Sequence, residues 1–103
     1  GAAPVAQTVY NENWHWLEAD NGAPYAIDLN SVRPWDRGRA EAVIYIYDGT
    51  SNPTNRKRML FSCAGHMTDI SGANGMPTIY LPPRSIGAQL SEIACTRAKI
   101  PNR

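Results

Sequence analysis

The two cysteines of this chain, Cys63 and Cys95, constrain its fold more than any other feature. Cys63 ends the apolar run MLFSC, which predicts a strand, and Cys95 lies in the segment SIGAQLSEIACTRAK, which predicts a helix. The two cysteines form no CxxC motif, and zinc requires more ligands than two. We therefore expect a disulfide that ties a C-terminal helix to a sheet. Two buried free thiols in a cytosolic protein are the alternative.

The predicted helix follows a corner at Pro82 and Pro83 and starts at Ser85, whose hydroxyl is a suitable N-cap. At about 100° per residue, its large side chains share one stripe, which we expect to fill the core. An adjacent arc of small residues, bordered by Cys95, lets another backbone approach closely, and a disulfide needs its Cα atoms within roughly 7 Å. The large stripe consists of Ile86, Leu90 and Ile93.

Alternating or apolar segments separated by turn residues predict an α+β fold: an antiparallel meander of about five to six strands, with the helix packed on one face. Asp20-Asn21-Gly22 is a strong hairpin signal between the first two strands. We expect loops at residues 30–38 and 48–55 and a turn at 71–75. The expected strands are residues 9–19, 24–29, 39–47, 56–64, 66–70 and 78–81.

Composition and length narrow the class of protein. Hydrophobic residues make up 43% of the chain and charged residues 18%, which is ordinary for a globular domain. The net charge of +1 argues against nucleic-acid binding by bulk charge, and no run of eighteen apolar residues predicts a membrane span. We expect a flexible tail at residues 1–8, typical of an exported chain after signal removal, and a single domain at 9–103.

The strand at residues 39–47 predicts which face of the sheet stays open. If Cys63 bonds Cys95, alternation turns Met59 and Phe61 toward the helix as well. The small arc of the helix favours small partners, so the row that starts with Ala40 and Ala42 suits the position beneath it. Aromatic side chains on the opposite face would form a partner or dimer surface; burial in the core is the alternative. The candidate binding surface is Tyr45, Tyr47, Trp14 and Trp16.

The sequence offers little catalytic chemistry. His15 or His66 could act as a general base beside Asp28 or Asp69, but an ordinary strand histidine is the favoured interpretation. We expect no catalysis, no cofactor and no metal. Arginines near residues 33–39 and 56–58 either steer an acidic partner or are solvated strand ends, which is the favoured interpretation. Asp28-x-x-Ser31 is typical of turn chemistry, in which the carboxylate accepts backbone N–H bonds.

Five segments appear in an order known from one protein family. These are Trp16-Leu17, the segment YAIDLNS at residues 25–31, the apolar strand 43–47, LFSC at residues 60–63, and the Pro-Pro corner with the Cys-terminated helix at residues 82–95. Together they span roughly residues 14 to 98. The chain thus resembles the surface-adhesin protein E family of exported bacterial proteins. The resemblance implies an antiparallel sheet with a C-terminal helix tied to one face by a disulfide.

The resemblance also implies a role. The named member of that family is an adhesin that binds host extracellular-matrix and serum proteins. We therefore expect a non-catalytic, exported, protein-binding domain of the bacterial envelope, located in the periplasm or at the cell surface. A homodimer is a candidate assembly. A small periplasmic inhibitor or ligand-binding module is the alternative, and a hydrolase that uses His66 and Asp69 is a third hypothesis.

Overall fold

The computed structural model describes residues 11–47, 55–72 and 76–101. Within these ranges it contains seven strands, a short 3₁₀ turn at Leu29–Ser31 and one helix. The predicted tail at 1–8, the start of the first predicted strand, most of the loop at 48–55 and part of the turn at 71–75 lie outside the described residues. The strands are β1 (Trp14–Glu18), β2 (Pro24–Asp28), β3 (Arg33–Asp36), β4 (Arg39–Ile46), β5 (Arg56–Ser62), β6 (His66–Asp69) and β7 (Ile79–Tyr80), and the helix is α1 (Ile86–Arg97).

The sheet is antiparallel throughout, in the order β1-β2-β4-β5-β6-β7, with β3 also paired to β4. The predicted α+β meander with a C-terminal helix is therefore confirmed. The hairpin signal is confirmed too, because Gly22 has φ +85° and the Asn21 side chain accepts a hydrogen bond from the Ala23 amide at 3.0 Å. This turn sets β1 against β2 at one edge of the sheet.

The loop expected at residues 30–38 is wrong, since this stretch contains β3. β2 and β3 pair with successive parts of β4, so the two strands form one interrupted strand along the same side of β4. Pro34 argues against a strand, because proline has no amide to donate. Pro34 of β3 lies opposite Ala40 of β4. Among the described strands β3 pairs with β4 alone, so it is an edge strand, and proline is tolerated in an edge strand.

The interruption between β2 and β3 is the predicted Asp28-x-x-Ser31 turn. The Asp28 carboxylate accepts a hydrogen bond from the Asn30 amide at 3.0 Å. The Ser31 hydroxyl donates to the Asp28 carbonyl and accepts from the Val43 amide, both at 2.7 Å. The turn therefore both redirects the chain and attaches it to the middle of β4.

The disulfide between Cys63 and Cys95 is present, with Cα atoms 6.0 Å apart and both residues buried. It joins the end of β5 to the last turns of α1, across a sequence separation of 32 residues. In the chain-entropy model, closure of such a loop stabilises the fold by about 4 kcal/mol. The disulfide predicted from the sequence is thus confirmed, and the alternative of two free thiols is wrong.

The helix begins at the predicted residue, but the side that it turns toward the sheet differs from the predicted one. Ser85 is the N-cap, and its hydroxyl accepts a hydrogen bond from the Ala88 amide at 3.1 Å. Of the large stripe expected in the core, Leu90 is buried, whereas Ile86 and Ile93 are half-buried at its flank. The small arc is what faces the sheet, because small side chains let the helix approach the alanines of β4 closely. The buried residues of α1 are Leu90, Ser91, Ala94 and Cys95.

Candidate binding face of the sheet

One face of the sheet lies under α1 and the other has no helix against it among the described residues. Ala40, Ala42 and Ile44 of β4 are buried in the core with the helix. Side chains alternate along a strand, so Val43 and Tyr45 point to the opposite side. We call this opposite side of the sheet the open face.

An aromatic cluster forms one end of the open face and consists of Trp14, Trp16 and Tyr45. Trp16 of β1 and Tyr45 of β4 both lie opposite Ala26 of β2, whose small side chain leaves space for the two rings to meet. The ring centres of Trp16 and Tyr45 are 5.6 Å apart in an edge-to-face arrangement, and those of Trp14 and Trp16 are 6.5 Å apart. Trp16 remains 56% exposed, so the cluster presents apolar surface to solvent.

Tyr47 is the fourth predicted surface residue. It follows the last residue of β4 and is 40% exposed. The ring contacts recorded among the described residues join Trp14, Trp16 and Tyr45 and do not include Tyr47. The structure therefore brings three of the four predicted surface residues together.

Arginines of β5 lie beside the aromatic cluster. The Arg56 guanidinium lies 5.4 Å from the centre of the Trp14 ring, within cation–π range, and 2.9 Å from the Glu12 carboxylate. Arg58 lies 3.3 Å from Glu41 of β4. With Arg33 of β3, these arginines line a depression of about 360 Å³ on the open face. The cluster thus has a cationic border.

A second depression, of about 310 Å³, lies on the open face toward β6 and β7. The rings of His66 and Tyr80 meet edge-to-face at 5.7 Å, and the hydroxyls of Thr68 and Thr78 are 2.9 Å apart. Tyr80 is 60% exposed. Tyr80 is not among the surface residues predicted from the sequence. Alternation within β6 would have placed His66 on the open face, but only the pairing of β6 with β7 brings Tyr80 against it.

The structure does not bring the suggested histidine–carboxylate pairs together. His66 and Asp69 are three residues apart on one strand and so point to opposite faces. The Asp69 carboxylate instead accepts a hydrogen bond from the Ser71 amide at 2.8 Å. His15 lies on the helix side of β1, while Asp28 is buried and accepts from the Asn13 amide at 2.9 Å. Within the described ranges, no group of three or more His, Cys, Asp or Glu residues is placed to hold a metal ion.

The clearest electrostatic perturbation lies at the end of the sheet away from the aromatic cluster. Arg39 donates to the Asp36 carboxylate from its Nε atom at 2.8 Å. This hydrogen bond, together with a second from the Gly38 amide, lowers the pKa of Asp36. The hydrogen bond to Asp36 also raises the pKa of Arg39. Both side chains are exposed, and the pair lies where β3 and β4 meet at the end of their hairpin.

Comparison with other proteins identifies no relative for this arrangement. No family model, curated protein or solved structure matches the chain significantly. Among the described residues, no helix is long and apolar enough to cross a membrane. The open face, with its aromatic cluster and arginines, is therefore the feature from which a function must be argued.

Proposed function

We propose that the chain is a non-catalytic protein-binding domain of the bacterial envelope and that it binds its partner through the open face. The observation that carries this proposal is the aromatic cluster, an exposed group of two tryptophans and a tyrosine beside arginines. Tryptophan, tyrosine and arginine are the residues that contribute most often to the binding energy of protein interfaces. A rigid sheet also holds these side chains in place before binding, which lowers the entropic cost of association.

The charges beside the cluster favour a partner surface that carries carboxylates. Arg33, Arg56 and Arg58 line one depression, and Arg56 and Arg58 are held by Glu12 and Glu41. Arg33 forms no ion pair within residues 11–47, 55–72 and 76–101. Its guanidinium can bind a partner's carboxylate in bidentate geometry without breaking an existing pair. The proposed partner therefore combines an apolar patch with nearby acidic side chains.

Two observations support export to the periplasm or the cell surface. The chain has a structural disulfide, and such disulfides form and persist mainly in oxidising compartments. The order of sequence features resembles that of the surface-adhesin protein E family, whose named member binds host matrix and serum proteins. An adhesin-like role at the bacterial envelope agrees with both.

A second candidate function is a ligand-binding module, and a groove on the other side of the sheet favours it. The groove lies between α1 and β1, has a volume of about 570 Å³ and contains the apolar side chains of Leu17, Leu29 and Ile93. Arg97 and Glu92 border it. These groups suit a small, largely apolar ligand with one polar end.

Binding to a panel of purified extracellular-matrix and serum proteins, measured by surface plasmon resonance, tests the first proposal. We expect the Trp16→Ser/Tyr45→Ser variant to lose at least about tenfold in affinity, because two interface anchors are removed. Ile79→Ser is the matched control. Ile79 is 50% exposed and lies opposite Met67, which packs on the helix side of the sheet.

Equal losses in the two variants, or no measurable binding to any member of the panel, would contradict an adhesin role of the open face. A fluorescent apolar probe distinguishes the second candidate. Probe binding that Ile93→Lys abolishes and Trp16→Ser/Tyr45→Ser leaves intact would favour the ligand-binding module.

A further inference from the structure

Strand β1 forms one edge of the sheet. Among the described residues it pairs with β2 alone. The opposite edge is β7, which has only two residues and is followed two and three positions later by Pro82 and Pro83. Proline and short length protect an edge from further pairing, as do lysines, bulges or a covering segment. β1 is five residues long and has neither lysine nor proline, so it lacks these sequence protections.

Two backbone hydrogen bonds determine which groups of β1 point outward. The Ala19 amide donates to the Ala23 carbonyl at 2.9 Å, and the Leu29 amide donates to the Asn13 carbonyl at 2.8 Å. Both pairs continue the register in which β1 pairs with β2. Along an antiparallel pair of strands, every second pair of opposite residues is hydrogen-bonded. The odd-numbered residues of β1 therefore bond to β2, and the even-numbered ones direct their amides and carbonyls away from the sheet. The outward residues are Trp14, Trp16 and Glu18.

We propose that a second copy of this chain pairs with that edge, β1 against β1 in antiparallel orientation, so that two sheets become one. The register that uses the whole strand places Trp16 opposite Trp16 of the second copy and Trp14 opposite Glu18 of the second copy. Each residue whose amide and carbonyl point away from the sheet then lies opposite another such residue, so that the two can exchange backbone hydrogen bonds. Because these side chains all lie on the open face, the two aromatic clusters become neighbours across the two-fold axis.

Charge and aromatic pairing together select this register over its two neighbours. In the full-length register, the Glu18 carboxylate of each copy approaches Trp14 of the other, and the Arg56 guanidinium lies 5.4 Å from the centre of that ring. A shift by one step of the ladder in one direction would instead place Glu18 opposite Glu12, and a shift in the other direction would place Trp16 opposite Glu18 and separate the two Trp16 side chains. Like charges directly opposite each other destabilise a strand pair, whereas aromatic pairs such as Trp16 with its copy stabilise it.

Amide hydrogen exchange, followed by NMR at low and high protein concentration, tests the proposal at the level of single amides. We expect the amides of Trp14, Trp16 and Glu18 to become protected in parallel with the dimer fraction measured by sedimentation equilibrium. The amides of His15 and Leu17, which bond to β2, are expected to be protected at both concentrations. This pattern is specific to pairing at the β1 edge, because a dimer formed face to face would leave the outward amides exchanging.

A charge reversal gives an independent readout. Glu18→Lys is expected to weaken the dimer by about tenfold, since the two-fold axis places an added positive charge opposite Trp14, the ring that Arg56 already contacts, in both copies. The matched control is Asp36→Lys, the same charge change on the β3–β4 hairpin, which is expected to leave the dimer dissociation constant within about twofold. Thermal unfolding of both variants verifies that they are folded.

Three outcomes would overturn the proposal. The first is a protein that stays monomeric at millimolar concentration. The second is a dimer whose Trp14, Trp16 and Glu18 amides exchange as fast as in the monomer. The third is an equal effect of Glu18→Lys and Asp36→Lys on the dissociation constant. These outcomes are independent of the proposed binding function, because the binding assay measures affinity for other proteins and this one measures self-association.

Discussion

At the scale of single residues, Ser31 connects the end of β2 to the middle of β4. Its buried hydroxyl donates to the Asp28 carbonyl and accepts from the Val43 amide. Ser31→Ala would leave both backbone groups without this partner, so we expect a loss of about 1–3 kcal/mol in the free energy of unfolding. Denaturant unfolding of the oxidised protein measures it. Ser62→Ala, at a half-buried position, is the control and should change stability by less than about 0.5 kcal/mol.

Asp36 gives a second prediction at the residue scale, which concerns pH. Hydrogen bonds from Arg39 and the Gly38 amide lower the pKa of Asp36 in the folded protein. The contribution of this pair to stability is therefore present above the ordinary aspartate pKa and is lost as pH falls through the lowered one. NMR titration should give Asp36 a midpoint below the ordinary aspartate pKa, and Arg39→Gln should raise that midpoint. An Asp36 midpoint that Arg39→Gln leaves unchanged would contradict the assignment.

At the scale of elements, the rotation of α1 determines which substitutions the core tolerates. Ala94 is fully buried between α1 and the sheet, so Ala94→Leu should destabilise the protein by about 1–3 kcal/mol through overpacking. Ile93 is only half-buried, so Ile93→Ala should cost less than the 2–5 kcal/mol or so that is typical of a buried isoleucine. Chemical unfolding of both variants tests the facing of the helix. A loss of about 2–5 kcal/mol for Ile93→Ala, together with no loss for Ala94→Leu, would show that the large stripe, and not the small arc, packs on the sheet.

At the scale of the whole molecule, net charge bears on whether the aromatic and cationic sheet face binds a protein or a single-stranded nucleic acid. Single-stranded nucleic acids also bind stacked aromatic side chains and arginines. Their affinity depends on an excess of positive charge along the binding groove, and this chain has a net charge of only +1. We expect weak, sequence-independent attraction to oligonucleotides that physiological salt abolishes. Fluorescence anisotropy measures it, and tight, sequence-dependent binding at that salt concentration would contradict the expectation.

The sequence alone was sufficient for features that depend on local pattern or on residue identity. The alternation of Ala40, Ala42 and Ile44 with Val43 and Tyr45 placed the tyrosine away from the helix, because the two faces of a strand cannot exchange without a register shift. The Ser85 N-cap followed from local sequence, and the pairing of Cys63 with Cys95 followed from the presence of only two cysteines in the chain. These features need no knowledge of which strands are neighbours.

Only the tertiary structure decided the features that depend on neighbours distant in sequence. Pro34 makes residues 33–36 a poor strand by propensity, yet β3 pairs with β4 alone among the described strands, and proline is tolerated in such an edge strand. The side of α1 that packs on the sheet depended on the alanines of β4 beneath it. If the large side chains of Ile86 and Ile93 had faced the sheet, they would have held the helix farther from it. The candidate binding face likewise required the pairing of four strands, since Ala26 lies between Trp16 and Tyr45 and β5 adds Arg56 next to Tyr45. Side chains separated by tens of residues meet only when strand order and register are set, and no local pattern encodes these.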